Sequence, residues 1–194
     1  MKEVNYIYYN AGNYMSLINS LKEINFKAHI IKDPKNIVQN LPIIIPGVGN
    51  FGYCIEQFKK TGFYDYFKNN SNIKVNVIGI CVGMQIMFEK SEEALNNIGL
   101  GIFDGEIVNL KKAGIKKTPS VGWFKTFQKN QLYGKYYYIH SFGNLYNNED
   151  RFYYENNNIK ITSLIKKNNY IGFQFHPEKS GEEGLKILNE YLQI

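Results

Sequence analysis

A run of valine and isoleucine that ends at a cysteine between two glycines constrains this chain more than any other feature of its sequence. Val75–Ile80 has little polar alternation, which is typical of a central parallel strand buried on both faces of a sheet. Gly79, Cys81 and Gly83 follow at alternate positions as this strand ends. A helix is predicted from Val82 onward, so the segment reads as a strand, a tight turn and a helix. The chain is therefore expected to form a sheet with parallel strands and helices packed against it.

Strand-like and helix-like segments alternate through the first half of the chain. The strand-like segments are short and apolar, whereas the helical ones carry apolar residues at positions that share one helix face. The predicted strands are Val4–Tyr9, Lys27–Ile31, Pro42–Ile45 and Val75–Ile80, and the predicted helices are Tyr14–Ile24, Tyr53–Phe67 and Val82–Lys90. This alternation favours a parallel α/β arrangement.

The second half is rich in strands separated by turns of asparagine and glycine. The predicted strands are Gly101–Leu110, Gly122–Phe127, Lys135–His140, Arg151–Glu155, Lys160–Leu164 and Tyr170–Phe175. Ser180 and Glu183 have the spacing of a capping box, which predicts a helix at the end of the chain. The expected fold class is α/β, with an open, mostly parallel sheet flanked by helices and an antiparallel strand extension. One domain is expected over residues 1–194.

Charge and composition exclude several classes of protein. The formal net charge is +6, but the lysines occur in short pairs without interleaved aromatic residues, which indicates a solvated surface rather than a nucleic-acid site. A basic patch that meets an acidic partner protein or a phosphorylated metabolite stays open. No apolar run approaches the length of a membrane span, and the first ten residues are too polar for a secretory signal. Two cysteines do not predict a disulfide framework, and a cytoplasmic protein is expected.

Cys81 is the candidate nucleophile. A sharp turn between a buried strand and a helix lifts a side chain above the sheet edge, and the small neighbours Gly79 and Gly83 let a substrate approach the backbone. The amide groups and the dipole of the following helix would favour a thiolate. Cysteine is also among the most buried residue types, so spacing alone leaves a packed core thiol open. Cys54 has no comparable setting and is expected in the core or on a helix surface.

His176 is the candidate base for this thiol. It ends the strand Tyr170–Phe175, and Pro177 stops that strand, so that Glu178 lies two residues beyond the histidine. A cysteine, a histidine and a carboxylate that orients the imidazole form the triad of nucleophilic acyl transfer. His29 and His140 lie within predicted strands; His29 is expected to have a packing or surface role, and His140 is expected to shape its strand.

A glycine-rich turn is the candidate oxyanion hole. Pro46-Gly47-Val48-Gly49-Asn50-Phe51-Gly52 follows the strand Pro42–Ile45, and its backbone N–H groups together with that of Val82 would stabilise a developing oxyanion. A phosphate-binding loop is the alternative, but the turn lacks the lysine and the spacing of a P-loop.

These motifs together resemble the class I (triad) glutamine amidotransferases, which carry a glycine-rich oxyanion strand, Gly-x-Cys-x-Gly-x-Gln and a late His-Pro-Glu. Within that family the chain is most similar to the glutaminase subunits of imidazole glycerol phosphate synthases. The segments that carry this similarity are PGVGNFG, GICVGMQIMFEKSEE, IHSF and FQFHPEKSGEEGLKIL.

The resemblance implies a reaction and the residues that perform it. Cys81 would attack the side-chain amide of glutamine, with His176 as base and acid and Glu178 orienting it. Residues implied in oxyanion or glutamine binding are Gly47, Val48, Gly49, Val82, Gln85, Glu93, Ser141 and Phe142. No metal and no organic cofactor are implied. The implied partner is a (β/α)₈ barrel synthase subunit that receives ammonia through an internal channel in a heterodimer, in histidine biosynthesis.

The chain departs from the family pattern near its N-terminus, where Tyr8-Tyr9-Asn10 replaces the usual Asp-Tyr-Gly, and at two residues in the middle of the chain. Where the family has Pro-His-Met-Gly-Trp-Asn, this chain has Pro119-Ser120-Val121-Gly122-Trp123-Phe124, so the histidine and the asparagine are replaced by Ser120 and Phe124. This leaves open a divergent copy that supplies ammonia to a sugar amidotransferase in surface polysaccharide synthesis. A non-catalytic scaffold is disfavoured by the intact triad, and a cysteine peptidase is disfavoured by Gln85, Glu93 and the run HPEKSG.

Overall fold

The computed structural model describes residues 1–11, 14–70 and 72–193. The strands are β1 (Lys2–Ile7), β2 (Phe26–Ile31), β3 (Ile43–Ile45), β4 (Val77–Ile80), β5 (Phe88–Ser91), β6 (Phe103–Asn109), β7 (Ser120–Gln128), β8 (Gln131–His140), β9 (Phe142–Gly143), β10 (Phe152–Asn156), β11 (Ile159–Lys167) and β12 (Tyr170–Phe173). The α-helices are α1 (Tyr14–Glu23), α2 (Phe51–Lys60), α3 (Phe63–Asn69), α4 (Val82–Gln85) and α5 (Gly181–Leu192), with 3₁₀ turns at Pro34–Asn36 and Pro177–Lys179.

Nine of these strands form one sheet in the order β2-β1-β3-β4-β12-β11-β10-β7-β8. The first five strands in that order are parallel to one another, and the remaining four continue the sheet as antiparallel neighbours. A smaller sheet contains β5, β6 and β9. The predicted fold class, an α/β sheet with a parallel part and an antiparallel extension, is confirmed.

Three neighbouring parallel strands place the predicted motifs at one edge of the sheet. In the centre, β4 pairs with β3 on one side and with β12 on the other, and Gly79 lies opposite Ile45 and Gly172. Parallel strands end at the same edge, so the glycine-rich loop after β3, Cys81 after β4 and His176 after β12 meet there. The sheet order therefore brings together segments that are far apart in the sequence.

An aromatic stack supports the segment that leads to His176. The ring of Phe175 is stacked between those of Phe173 and Tyr136, with centroid distances of 5.1 and 4.1 Å. Tyr136 belongs to β8, so this stack joins the antiparallel part of the sheet to the end of β12. All three rings are almost completely buried. Among the described residues, no helix is both long and apolar enough to cross a membrane.

The helix predicted over Val82–Lys90 is wrong beyond its first turn. Helix α4 ends at Gln85, and the chain re-enters a strand at Phe88. The carbonyl of Met87 accepts the N–H groups of Ile102 and Phe103, and the buried ring of Phe88 packs at 5.5 Å from that of Phe103. Tertiary pairing with β6 thus overrides the helical pattern, and one turn of helix provides little of the dipole expected beside Cys81.

The helix predicted over Tyr53–Phe67 is two helices. Gly62 has φ of 80°, a conformation that ends α2 and allows the chain to turn into α3. The hydroxyl of Thr61 donates to the carbonyl of Gln57 at 2.8 Å, which satisfies a group at the end of α2. Both α2 and α3 bury the apolar residues that were predicted to face inward, since Ile55, Phe58 and Phe63 are fully buried.

Candidate active site

Cys81 occupies a strained turn at the end of β4. Its φ of 54° and ψ of −112° lie outside the regions that residues other than glycine usually adopt. Its N–H donates to the carbonyl of Phe173 at 2.7 Å, which holds the turn against the end of β12. The residue is 4% exposed. This strained turn between a strand and a helix has the geometry of a nucleophile elbow.

The glycines around Cys81 are required by close backbone packing. A Cβ on Gly79 would lie 2.7 Å from the carbonyl oxygen of Gly83, and one on Gly83 would lie 2.0 Å from that of Ile45. Gly47 packs in the same way, because a Cβ added to it would lie 2.2 Å from the backbone nitrogen of Gly83. Gly47 was expected among the oxyanion-binding residues, but the structure places it behind the cavity wall. Its observed role is to let the loop after β3 approach the turn after β4.

His176 and Glu178 form a buried pair beside Cys81. The Nδ1 atom of His176 lies 2.8 Å from Oε1 of Glu178, and both side chains are 4% exposed. Burial alone would lower the pKa of His176, but the charge and hydrogen bond of Cys81 and the carboxylate of Glu178 raise that pKa well above its ordinary value. The site therefore favours an imidazolium beside the cysteine, which is the state that supports a reactive thiolate.

A cavity of about 370 Å³ opens in front of the cysteine. This volume is within the range of small-molecule sites. Residues that the sequence placed in the site and that line the cavity are Val48, Gly49, Cys81, Val82, Gln85, Glu93, Ser141, Phe142 and His176, and further lining residues are Pro119, Ile139, His140 and Lys179. Gly47 and Glu178 lie outside this lining. Cys81, His176 and the glycine-rich loop thus converge on one cavity.

The glycine-rich loop is held by donors on its core side. The hydroxyl of Tyr9 donates to the carbonyl of Pro46, and the thiol of Cys54 lies 3.7 Å from the carbonyl of Val48. Burial raises the pKa of Cys54 to about 12, so this thiol keeps the proton that it donates. Gly49 has φ of 99°, and nothing lies within 4 Å of where its Cβ would be, so the loop is open on the cavity side. The expectation that Cys54 lies in the core is confirmed.

Gln85 and Glu93 line the cavity and also hold its walls. The side-chain amide of Gln85 donates to the carbonyl of Phe142 at 2.8 Å and to Oε1 of Gln174 at 3.1 Å. One carboxylate oxygen of Glu93 accepts the N–H of Phe51 at 2.8 Å, at the start of α2. Both side chains are therefore partly engaged before any ligand binds.

Sequence reasoning missed Gln174 as a neighbour of Cys81. Gln174 is completely buried, and its amide nitrogen lies 3.9 Å from the sulfur of Cys81. A polar residue between Phe173 and Phe175 was the available signal, because a buried strand end seldom carries an amide without a partner. His140 lines the cavity and is hydrogen-bonded through both ring nitrogens.

Within the ranges 1–11, 14–70 and 72–193, no group of three or more His, Cys, Asp or Glu side chains is arranged to hold a metal ion. The arrangement of Cys81, His176 and Glu178 supports nucleophilic attack by a thiolate, proton transfer by an imidazole and orientation of that imidazole by a carboxylate.

Comparison with known proteins points in the same direction. The family described as "Glutamine amidotransferase class-I" matches residues 6–193. Subunit HisH of imidazole glycerol phosphate synthase from Caldanaerobacter subterraneus is 39% identical, with 94% of each chain covered. The imidazole glycerol phosphate synthase hisHF of Schizosaccharomyces pombe is 32% identical over 97% of this chain and 38% of that protein. A crystal structure of a glutamine amidotransferase shares the fold with a TM-score of 0.76 at 13% identity, covering 98% of this chain and 100% of that one.

Proposed function

This chain belongs to the class-I glutamine amidotransferase family, and we propose that it is the glutaminase subunit of an imidazole glycerol phosphate synthase. The observation that carries the proposal is the convergence of Cys81 and His176, with Glu178 behind the imidazole, on a cavity beside a glycine-rich loop. The relatives reported above carry the synthase name, and one of them matches this chain over nearly its whole length. The substrate is therefore L-glutamine, and the products are glutamate and ammonia.

The first chemical step breaks the amide bond of glutamine. The thiolate of Cys81 adds to the side-chain amide carbon, and the carbon–sulfur bond forms as the carbonyl oxygen takes up negative charge. The imidazolium of His176 then donates its proton to the amide nitrogen, the carbon–nitrogen bond breaks and ammonia leaves. A glutamyl thioester on Cys81 remains. Glu178 keeps the imidazole in the orientation that this transfer needs.

The second step hydrolyses the thioester. Neutral His176 removes a proton from a water molecule, which adds to the thioester carbon, and the carbon–sulfur bond then breaks to release glutamate and regenerate the Cys81–His176 pair. In both steps the backbone N–H groups of Val82 and of the loop residues Val48 and Gly49 are the proposed donors to the oxyanion. Gln85, Glu93, Ser141 and Phe142 are the proposed contacts of the glutamine backbone and side chain.

The partner docks, in this proposal, on an apolar face of the β7–β8 hairpin. Val121, Trp123 and Ile139 are 50, 48 and 41% exposed, and apolar side chains that are exposed side by side are typical of an interaction surface. Val121 lies opposite Ile139 in the sheet, so the two residues share one face with Trp123. Ile139 also lines the cavity in front of Cys81. A protein bound to this face would therefore cover the mouth of the cavity and receive ammonia without its passage through water.

The proposed partner is a (β/α)₈ barrel synthase subunit in a heterodimer. In the Schizosaccharomyces pombe protein the match with this chain occupies only 38% of the length, and that protein carries the name of the whole synthase. The remaining length is where a synthase unit would lie in a fused protein. A separate barrel subunit in contact with Val121 and Trp123 is the corresponding arrangement for this chain.

The departures from the family pattern do not touch this face. Ser120 is buried and Phe124 packs its ring against Tyr138 and Tyr154, whereas Val121 and Trp123 point outward from the same strand. The side chains that would meet the partner are thus separate from the two replaced positions. Because the relatives reported above are named as synthases of imidazole glycerol phosphate, a role in sugar amidation is not favoured.

Two further parts of the proposal concern the whole chain. We infer one domain over residues 1–194, which is supported by a single nine-stranded sheet that runs from β2 to β8 and by one continuous hydrophobic core among the described residues. A cytoplasmic location is inferred from the synthase names of the relatives.

The decisive experiment measures glutamine hydrolysis by the chain alone and with the barrel subunit encoded in the same genome plus its nucleotide ligand. We expect low activity alone, strong stimulation in the complex and loss of at least about 10³-fold in Cys81→Ala, because no other group supplies the nucleophile. An electrophilic glutamine analogue should modify the Cys81 peptide and leave buried Cys54 unmodified, as read by mass spectrometry. Stimulated hydrolysis that persists in Cys81→Ala would contradict the mechanism, and a barrel that neither binds nor stimulates would contradict the partner.

A further inference from the structure

A chain of largely buried polar side chains begins at His140 in the cavity wall and does not include the triad. The Nδ1 atom of His140 lies 2.8 Å from the carbonyl oxygen of Phe142, and its Nε2 atom lies 2.8 Å from the hydroxyl of Tyr154. The Tyr154 hydroxyl is 3.4 Å from that of Ser120, and the amide nitrogen of Asn156 is 3.0 Å from the same Ser120 oxygen. Tyr154, Ser120 and His140 are 0, 2 and 6% exposed.

The directions of the hydrogen bonds around His140 can be worked out from the Phe142 carbonyl, which lies at one end of this chain. The oxygen of Phe142 can only accept, so Nδ1 of His140 must carry a proton. Burial lowers the pKa of His140 to about 4, although its hydrogen bond to Phe142 opposes that shift, so the ring is neutral and Nε2 has no proton. Tyr154 must then donate to Nε2. The same hydroxyl lies 3.4 Å from a second acceptor, the oxygen of Ser120, which also accepts from the side-chain amide of Asn156.

The carbonyl at the end of this chain belongs to the segment expected to bind glutamine. The Phe142 oxygen accepts from His140 and also from Gln85 at 2.8 Å. The Ser141 oxygen accepts the N–H of Leu110 at 3.0 Å. Both carbonyls of the segment are thus occupied, which fixes the orientation of its peptide groups toward the cavity. Loss of one of these donors would let the segment rotate.

We propose that Tyr154 is a positioning residue for glutamine binding, which acts through His140 on the carbonyl of Phe142, with Ser120 and Asn156 holding its hydroxyl. The identity of the ligand, glutamine, rests on the proposed function, whereas the hydrogen-bond geometry does not depend on it. Ser120 stands where the resembling family has a histidine, so this support of the Tyr154 hydroxyl depends on a residue in which this chain departs from the family pattern.

The substitution Tyr154→Phe tests the role, and Tyr138→Phe is its matched control. Tyr138 is as buried as Tyr154, and its hydroxyl bonds Thr126 and Ser163 but not His140. In the complex with the barrel subunit, we expect Tyr154→Phe to raise the KM for glutamine about tenfold with a small change in kcat. The reason is that Nε2 of His140, a buried acceptor, loses its donor. Ser120→Ala should raise KM in the same direction but less. Tyr138→Phe should leave KM unchanged even if it lowers the melting temperature.

A spectroscopic measurement tests the geometry without any substrate. With ¹⁵N-labelled histidine, the wild-type His140 should carry its proton on Nδ1 and show a hydrogen-bonded, pyridine-type Nε2. In Tyr154→Phe the Nε2 resonance should move to that of an unbonded nitrogen. A wild-type proton on Nε2 would overturn the proposal whether or not the chain hydrolyses glutamine.

The variant His140→Asn is a third test. Its side-chain amide can still donate to the Phe142 carbonyl, but it offers no acceptor to the Tyr154 hydroxyl in the place of Nε2. The effect of Tyr154→Phe on KM should disappear in this background. An equal effect in both backgrounds, or an equal rise of KM in Tyr138→Phe, would show that Tyr154 acts only through general packing. If wild type is inactive toward glutamine while the NMR result holds, the proposed function fails and the network stands.

Discussion

At the scale of single residues, the reactive pair depends on backbone strain and on a buried carboxylate. The conformation of Cys81, with φ of 54°, costs on the order of 1–3 kcal/mol in a residue with a Cβ. The close packing of Gly83 against Ile45 and the hydrogen bond from Cys81 to Phe173 keep the turn in place. The stored strain presents the sulfur to the cavity beside His176, where Glu178 stabilises the positive imidazole.

Glu178→Gln removes the negative charge of this side chain and keeps its size, so it tests how far the charge contributes to catalysis. Without that charge the pKa of His176 falls, because Glu178 is one of the groups that raise it. The imidazolium needed to protonate departing ammonia is then lost at a lower pH. We expect kcat to fall by about 10²-fold and the alkaline limb of the pH–rate profile to move to lower pH, as measured by stopped assays of glutamate formation.

The control for this prediction is Glu182→Gln, which removes the charge of an exposed carboxylate in the same region of the chain. It should change neither kcat nor the pH profile. If Glu178→Gln lowers kcat without moving the alkaline limb, Glu178 acts by orientation alone.

At the scale of elements, the turn after β12 is hydrogen-bonded to β8 as well as to the helix that follows it. The N–H of His176 donates to the carbonyl of Tyr137 at 2.9 Å, and the N–H of Tyr137 donates to the hydroxyl of Ser180 at 2.9 Å. That hydroxyl in turn donates to the carbonyl of His176 at 2.6 Å. The capping box predicted for Ser180 and Glu183 is therefore wrong. Glu183 instead accepts the N–H of Lys135.

Ser180→Ala should destabilise the protein more than the loss of an ordinary helix cap. It removes the acceptor of the Tyr137 N–H and the donor to the His176 carbonyl, and a buried polar group without a partner costs about 1–3 kcal/mol. We expect a drop of this size in the free energy of unfolding, measured by urea denaturation, together with a loss of glutaminase activity because His176 is less firmly held.

Glu183→Ala is the matched comparison, because its hydrogen bond to β8 is exposed and should contribute less than about 0.5 kcal/mol. Equal destabilisation by the two substitutions would mean that the Ser180 hydroxyl does not connect the turn to β8 in solution.

At the scale of the whole molecule, the outward side of the β7–β8 hairpin is the surface on which assembly should depend. Trp123 is half-exposed and lies against Tyr137 with ring centroids 6.1 Å apart. Large aromatic residues at the centre of an interface often contribute most of the binding energy. The antiparallel part of the sheet thus both supports His176 from within and presents an apolar surface outward.

Trp123→Ala should weaken binding of the barrel subunit by at least about 30-fold, the effect of losing 2 kcal/mol at an interface. The unstimulated glutaminase activity should be unchanged, since Trp123 does not line the cavity. The dissociation constant is measured by titration calorimetry.

Val38→Ala is the control, because Val38 is 39% exposed in the loop that leads into β3, away from the carboxyl ends of the strands. Equal weakening of binding by the two substitutions would place the partner on another surface.

The sequence predicted the parts of the site that depend on local patterns. The β-branched run, the glycines around Cys81 and the stop at Pro177 each reflect a local backbone requirement, so the sharp turn at Cys81, the strand end at His176 and the α/β class could be predicted. The helix over Val82–Lys90 was wrong because the pairing of Phe88 with Phe103 is a tertiary contact that no local pattern records. Gly47 was expected among the oxyanion-binding residues because a loop sequence does not show which glycines face a cavity and which face another backbone.

The residue pattern is enough to show which chemical groups this protein has and which of them end buried strands, because strand periodicity and turn residues are short-range properties. The folded packing was needed to show that β3, β4 and β12 are neighbours, that Tyr154 reaches His140, and that the Ser180 hydroxyl bonds β8 instead of capping α5. These contacts join residues distant in the chain. Their free energy comes from burial and from satisfying polar groups in a particular packing, and neither is encoded in any single segment.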